Sequence, residues 1–205
     1  MNQYYIALNP EKKLTDFINQ QKDLVRNLAG EQTYLSHPPH FTLFIFSLPN
    51  PEVLFKGLEE IASQTNRFKI ALKEIHVFYN DLFTNRNTIT YPVSNKDLES
   101  LKKLQSQFID KIDPFNAKKA YSNEDEDYKK MSFLEKSNIN QYGYPFVGEN
   151  WIPHITIASI EKDKFDRVFE KIKQKPDFGE FSIDSINLYE VGDKTSKLIR
   201  SFELK

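Results

Sequence analysis

Apolar residues recur at two different periods along this chain, and the switches between the periods divide it into elements. Residues 4–8 form a short apolar run of β-forming types and read as a strand. Over residues 10–28 the apolar positions Leu14, Phe17, Ile18, Leu24 and Leu28 fall near helical spacing, which predicts a helix with one apolar face. Residues 41–46 are dense in aromatic and β-branched types and predict a second strand. Residues 51–63 return to helical spacing, with Val53, Leu54, Leu58 and Ile61 inward. Two strands are expected at 68–79 and 88–93, then a helix at 95–112, a strand at 155–160, a helix at 162–173, and strands at 181–191 and 197–204. Strand, helix, strand therefore recurs on either side of a midpoint near residue 95, and the fold class expected is α+β.

Two of these strands open on nearly the same tetrapeptide, Pro39-His40-Phe41-Thr42 and Pro153-His154-Ile155-Thr156. A P-H-x-T string is expected on the order of 0.01 times in a chain of this composition. It occurs twice and uses two of the four histidines. Side chains alternate faces along a strand, so each copy presents an imidazole and a hydroxyl on one side and anchors itself with apolar residues on the other. Proline is tolerated just before a strand, where its missing N–H breaks no ladder bond. Two imidazoles on one cleft suit a reaction needing a general base and a general acid together, because histidine titrates near neutrality. Attack on phosphorus is such a reaction. One ring takes a proton from the incoming oxygen, the other gives one to the departing oxygen, and the threonine hydroxyls hydrogen-bond the non-bridging oxygens.

At these residues the chain resembles the 2H phosphoesterase superfamily, whose signature is a pair of H-x-[S/T]-x motifs. Here they read His40-Phe41-Thr42-Leu43 and His154-Ile155-Thr156-Ile157. Within it the chain is most similar to the branch of 2'-5' RNA ligases and RNA 2',3'-cyclic phosphodiesterases. The resemblance implies a single bilobal domain over residues 1–205, with two pseudo-symmetric antiparallel sheets, outer helices and a central cleft. It also implies phosphodiester chemistry with neither metal nor other cofactor, and His40, Thr42, His154 and Thr156 as catalytic residues. Which histidine is base and which is acid stays open. The histidines lie 114 positions apart, a separation longer than is usual in the family, and the excess is placed at 114–147 as a loop or lid. Where RNA-processing members often carry a basic residue shortly after each motif, this chain has Phe44 and Ser159, so the cation that grips phosphate is unassigned.

Composition narrows the picture. With 205 residues, 39% of them hydrophobic and 14% aromatic, the chain can bury a substantial core. A formal net charge of -1 argues against general DNA or RNA binding, and the absence of cysteine excludes disulfides and thiolate chemistry. The chain opens without a basic segment followed by an apolar run, and no stretch of about 18 apolar residues occurs. A soluble, cytoplasmic monomer without membrane association is expected. The acidic run Asn123-Glu124-Asp125-Glu126-Asp127 reads as a solvated loop. A sharper alternative makes its segment a lid whose Tyr142 and Tyr144, with nearby Trp151, bind substrate by stacking on a base. His37-Pro38-Pro39-His40 has a metal-like spacing, but the prolines prevent a helical pair and no carboxylate clusters beside it. His76, inside an expected strand, reads as a half-buried structural residue.

Three readings of function remain. The leading one is cleavage or formation of bonds at RNA 2',3'-cyclic phosphate ends or 2'-5' linkages. A second is hydrolysis of small signalling nucleotides, 2'-5' oligoadenylates or cyclic oligonucleotides, favoured by the missing cations and the lid. A third is a nucleotide-binding module without turnover, against which the four intact motif residues argue.

Overall fold

The structure is a computed structural model and describes residues 2–112, 120–172, 179–192 and 195–205. The first apolar run becomes β1 (Asn2–Pro10), buried without interruption from Tyr4 to Leu8. Such unbroken burial belongs to a strand with neighbours on both sides. β1 pairs antiparallel with β2 (Phe41–Leu48) on one edge and with β7 (Glu180–Val191) on the other. β7 in turn carries β3 (Phe68–Ala71) and β8 (Ser196–Glu203). The other half is smaller. Its β6 (His154–Ile160) pairs with β5 (Asn87–Pro92), which pairs with β4 (His76–Phe78).

The two expected sheets are therefore two antiparallel halves of one eight-stranded sheet, ordered β3-β7-β1-β2-β6-β5-β4 with β8 also on β7. They meet through one residue pair, Phe41 with Ile155. Five helices are described: α1 (Lys12–Ala29), α2 (Phe55–Gln64), α3 (Asn95–Ile112), α4 (Phe133–Tyr142) and α5 (Lys162–Ile172). α1 packs with α5 and onto β6, while α2 packs with α3 and onto β8. α1 buries Leu14, Ile18, Lys22, Val25 and Ala29, and stops at Gly30, whose φ of 74° favours glycine. No described helix is long and apolar enough to cross a membrane.

Two expectations change. The strand expected over 68–79 is divided at the polar pair Lys73-Glu74, and its pieces lie at opposite ends of the sheet, β3 on β7 and β4 on β5. The chain crosses between the halves there, held by Lys73 N donating to Pro92 O at 2.8 Å and Ala71 N donating to Asp97 Oδ2 at 3.0 Å. His76 is exposed on edge strand β4, with its ring against the edge of Phe78 at 4.6 Å. β4 is the last strand of the sheet, with no neighbour on its outer edge to cover His76.

Residues 114–119 of the expected loop or lid at 114–147 lie outside the described residues. The remainder holds a short 3-10 turn, Glu126–Lys130, and α4. α4 begins with a capping box in which Ser132 Oγ accepts from Glu135 N and Glu135 accepts from Ser132 N, and ends at Gly143 with φ 72°. The acidic run is exposed from Asn123 to Glu126.

Candidate active site

The Phe41–Ile155 pair is the centre of the site. Both side chains point into the core, 1% and 0% exposed. Alternation then puts the residues on either side of each onto the opposite face, so His40, Thr42, His154 and Thr156 share it. Antiparallel register about that pair sets His40 beside Thr156 and Thr42 beside His154. The imidazoles occupy diagonal corners of a four-residue patch, where Cβ atoms lie roughly 7–8 Å apart. That spacing leaves room for a phosphorus between the rings.

Each motif strand then bulges at the same place. Ile6 pairs with Phe44 and Ala7 with Thr42, leaving Leu43 without a partner; Ile89 pairs with Ala158 and Thr90 with Thr156, leaving Ile157 without one. An extra residue directly after the motif threonine bends the strand and re-aims the side chains before it. On the β2 side the bulge is pinned from α3. Gln105, 1% exposed, donates from Nε2 to Leu43 O at 2.8 Å and Phe146 O at 3.0 Å, and accepts from Gly148 N at 3.0 Å. Trp151 Nε1 donates to Thr42 O at 3.2 Å.

The histidines are oriented by the same device. His40 Nδ1 lies 2.7 Å from Pro38 O, and His154 Nδ1 lies 2.7 Å from Ile152 O. In each case the acceptor belongs to the residue before the motif proline, whose fixed φ holds that carbonyl in place. A carbonyl can only accept, so Nδ1 carries the proton and Nε2 is the nitrogen left for substrate. The rings are further braced, His40 stacked on Tyr5 at 4.8 Å and His154 against Phe78 at 5.2 Å. Burial pulls both below the ordinary value of 6.5, and each keeps an edge open to the cleft. For His40 it does so to about 4, offset by the Pro38 bond and reinforced by the charges of Lys22, His37 and His154. For His154, burial and the charge of His76 lower it, while the Ile152 bond and the Asp81 carboxylate raise it.

All four motif side chains line one cleft of about 640 Å³. Trp151 and Tyr144 also reach its wall, though both are largely buried, at 4% and 5% exposed. Trp151 spends its N–H on Thr42, and Tyr144 packs edge-on against Phe44 and Phe146 at 5.6 Å each. Tyr142 is half-buried and is not among the residues on the cleft wall. From the segment expected to be a loop or lid, Tyr121, Tyr144 and Phe146 join Phe83 and Tyr34 as an aromatic wall of the cleft, with Phe83 and Tyr121 rings 4.9 Å apart.

Three charged residues of the cleft wall were not singled out from sequence, of which Glu135 accepts from Ser132 N in the α4 capping box. Lys22 reaches it from α1, and Asp81 from the turn between β4 and β5. The Asp81 carboxylate is held by Phe83 N at 2.9 Å, Thr84 N at 3.3 Å and Thr88 Oγ1 at 2.8 Å. The cleft is therefore polarised, cationic beside His40 and anionic beside His154. Lys22 had a legible signal, since it is a lysine inside the apolar stripe of an amphipathic helix; Asp81 had none. His37 binds Ser196 Oγ through Nδ1 at 2.9 Å. Among the described residues no group of three or more His, Asp or Glu is placed to hold a metal ion.

A strand pair that presents two histidines and two threonines to one cleft, on a sheet of two matched halves, is the arrangement of the 2H phosphoesterases. Residues 10–195 match the 2'-5' RNA ligase superfamily, and the chain belongs to that family. Solved structures share the fold over nearly the whole chain. The Thermus thermophilus protein TT0787 matches with a TM-score of 0.61 at 16% identity, covering 98% of this chain and 97% of its own. Escherichia coli LigT complexed with 3'-AMP matches with a TM-score of 0.55 at 15% identity over 100% and 98%. Kluyveromyces marxianus Usb1 matches with a TM-score of 0.50 at 14% identity over 99% and 98%. No curated protein matches by sequence. Family membership supports phosphoesterase activity on RNA ends as the general class.

Proposed function

We propose that the protein is a phosphodiesterase that acts on RNA 2',3'-cyclic phosphate ends or 2'-5' linkages, with His40 as general base and His154 as general acid and without need of a metal. One observation carries the reading: the matched Nδ1–carbonyl bonds at His40 and His154, on strands joined at Phe41–Ile155, free both Nε2 atoms for one substrate. In hydrolysis of a cyclic phosphate, water attacks phosphorus as its proton passes to His40 Nε2. The bond from phosphorus to one ribose oxygen breaks, and that oxygen takes the proton from His154 Nε2. The product is a phosphomonoester and a ribose hydroxyl. Thr42 and Thr156 donate to the non-bridging oxygens as charge gathers there.

The division of labour follows from the cleft's polarity. A base must start neutral, and Lys22 beside His40 disfavours a proton there; an acid must start charged, and Asp81 beside His154 favours one. The aromatic wall of Tyr34, Phe83, Tyr121 and Phe146 supports a nucleobase as the part of the substrate beyond the phosphate. The 3'-AMP held by the structural neighbour LigT is a ligand of that type. The same wall, with apolar Phe44 and small Ser159 after the motifs, supports the second reading, a hydrolase of small signalling nucleotides.

The test is a panel of nucleoside 2',3'-cyclic phosphates, RNA with cyclic phosphate ends, 2'-5' and 3'-5' oligonucleotides and cyclic oligonucleotides, assayed in excess EDTA at two salt concentrations. Turnover of the cyclic and 2'-5' members supports the proposal. RNA held through several phosphates loses affinity steeply with salt, whereas a dinucleotide hardly responds, which separates the two readings. Absence of turnover across the panel refutes both.

A further inference from the structure

Lys22 is an unusual cation for its place. It lies on α1 within the stripe Leu14, Ile18, Val25, Ala29, is 3% exposed, and still lines the cleft. Its ammonium donates to two neutral acceptors, Tyr34 O at 2.8 Å and His37 O at 2.6 Å, and among the described residues it pairs with no carboxylate. Tyr34, which supplies one of the two acceptors, sits at φ 72°, a left-handed conformation that bulky residues rarely adopt. An ammonium has three donors. Two bonds leave one, and a buried charge without a counter-ion is costly unless an anion arrives.

A second group points the same way. The Tyr5 hydroxyl, on a residue 4% exposed that lines the cleft under His40, has no well-formed hydrogen bond. Ser196 lies close enough to influence the phenol, but its hydroxyl is engaged with His37 Nδ1 at 2.9 Å. Burial pushes the phenol's pKa up, so it remains an O–H donor. Lys22, Tyr5, His37 and Ser196 thus surround the flank of His40 with donors. Tyr5 stacks on the His40 ring at 4.8 Å whereas Phe78 is the ring against His154, so the cluster adjoins the His40 end of the site.

Resting on the function proposed above, we propose that Lys22 and Tyr5 form a second phosphate subsite beside His40, which takes the phosphate neighbouring the reacting one. The preferred substrate class is then a nucleotide or oligonucleotide with at least two phosphates, rather than a mononucleoside cyclic phosphate. The same chemistry serves an internal diester of a chain and a terminal phosphate.

Binding, not turnover, tests this. Calorimetry would compare adenosine 3'-monophosphate, adenosine 3',5'-bisphosphate, and the dinucleotide ApA with a 3'-phosphate, on the intact protein and on Lys22→Met, Lys22→Arg and Tyr5→Phe. The intact protein should bind at least one two-phosphate ligand about 10-fold or more tighter than the monophosphate, as one charge-assisted contact provides. Preference for the dinucleotide assigns an internal diester, and preference for the bisphosphate alone assigns a terminal phosphate. Lys22→Met should abolish the preference, Lys22→Arg keep most of it, and Tyr5→Phe, which removes only the hydroxyl, reduce it about 3-fold or more. Equal binding of all three ligands by the intact protein overturns the proposal, as does a preference that survives both Lys22→Met and Tyr5→Phe. A preference that behaves as expected in a protein inert on the whole phosphodiester panel would refute the proposed reaction and leave the subsite standing.

Discussion

Acidification should destabilise this protein through His40, and the size of the effect follows from its surroundings. Burial holds the folded ring to about 4 against an ordinary 6.5, so as pH falls the unfolded chain takes up this proton first. The contribution is fully present above 6.5, is lost as pH falls between 6.5 and about 4, and changes no further below that. Between pH 7 and pH 5 the loss from this one ring would be about 1.8 kcal/mol if it were sealed from water. Its open edge on the cleft reduces that to about 1 kcal/mol. The control is His40→Asn, because the shorter amide can still donate to Pro38 O yet does not titrate. Urea unfolding at pH 7 and pH 5, followed by the fluorescence of the lone Trp151, should show the intact protein losing about 1 kcal/mol more than His40→Asn over that interval. Equal losses in the two proteins would refute the reasoning, since the folded His40 ring stays largely neutral down to pH 5 and so perturbs its titrating neighbours little.

The pH profile of kcat/KM should be a bell displaced to the acid side of 6.5, rising as His40 becomes neutral and falling as His154 loses its proton. Asp81→Asn removes the charge that supports the His154 proton, so the alkaline limb should move to lower pH; an unmoved limb would remove Asp81 from the account. Gln105→Met should cost about 2–4 kcal/mol in urea unfolding, because it strands the buried carbonyls of Leu43 and Phe146 and the N–H of Gly148; a cost below about 1 kcal/mol would mean that water or a shifted bulge replaces the amide. Trp151→Phe should lower stability by about 1 kcal/mol through loss of the bond to Thr42 O, measured by urea unfolding followed by far-ultraviolet circular dichroism because the variant has no tryptophan. No change there would make the indole N–H incidental.

Sequence pattern revealed those parts of the molecule that local periodicity determines. The helix expected at 95–112 is α3, Asn95–Ile112, because Leu98, Leu101, Leu104, Phe108 and Ile112 recur at helical spacing. The two P-H-x-T strings announced both motif strands, since composition alone does not produce such a pair. The division of 68–79 was hidden because Lys73-Glu74 is too short a polar break to distinguish a surface strand from a crossover between halves. α4 has no apolar stripe, so period gave no sign of it. Its punctuation was present in Ser132, Glu135 and Gly143. Lys22 and Gln105 were legible as polar residues within apolar stripes, but which carbonyls they meet depends on elements distant in the chain. Asp81 and the aromatic wall come together only when the halves of the sheet join. Stacking by both Tyr142 and Tyr144 was expected from their neighbourhood in sequence, and the turn at Gly143 puts Tyr144, with Phe146, on the cleft wall while Tyr142 is not on it.

The most direct test of the account is the rate of ring opening of an RNA 2',3'-cyclic phosphate end in excess EDTA by the intact protein, His40→Ala and His154→Ala, each checked for fold by its urea midpoint. Turnover by the intact protein that falls by about 10²–10⁴ in each variant, as loss of one proton transfer implies, is the predicted result. Near-intact turnover in both variants, or an intact protein silent in EDTA and restored by a divalent ion, would contradict it.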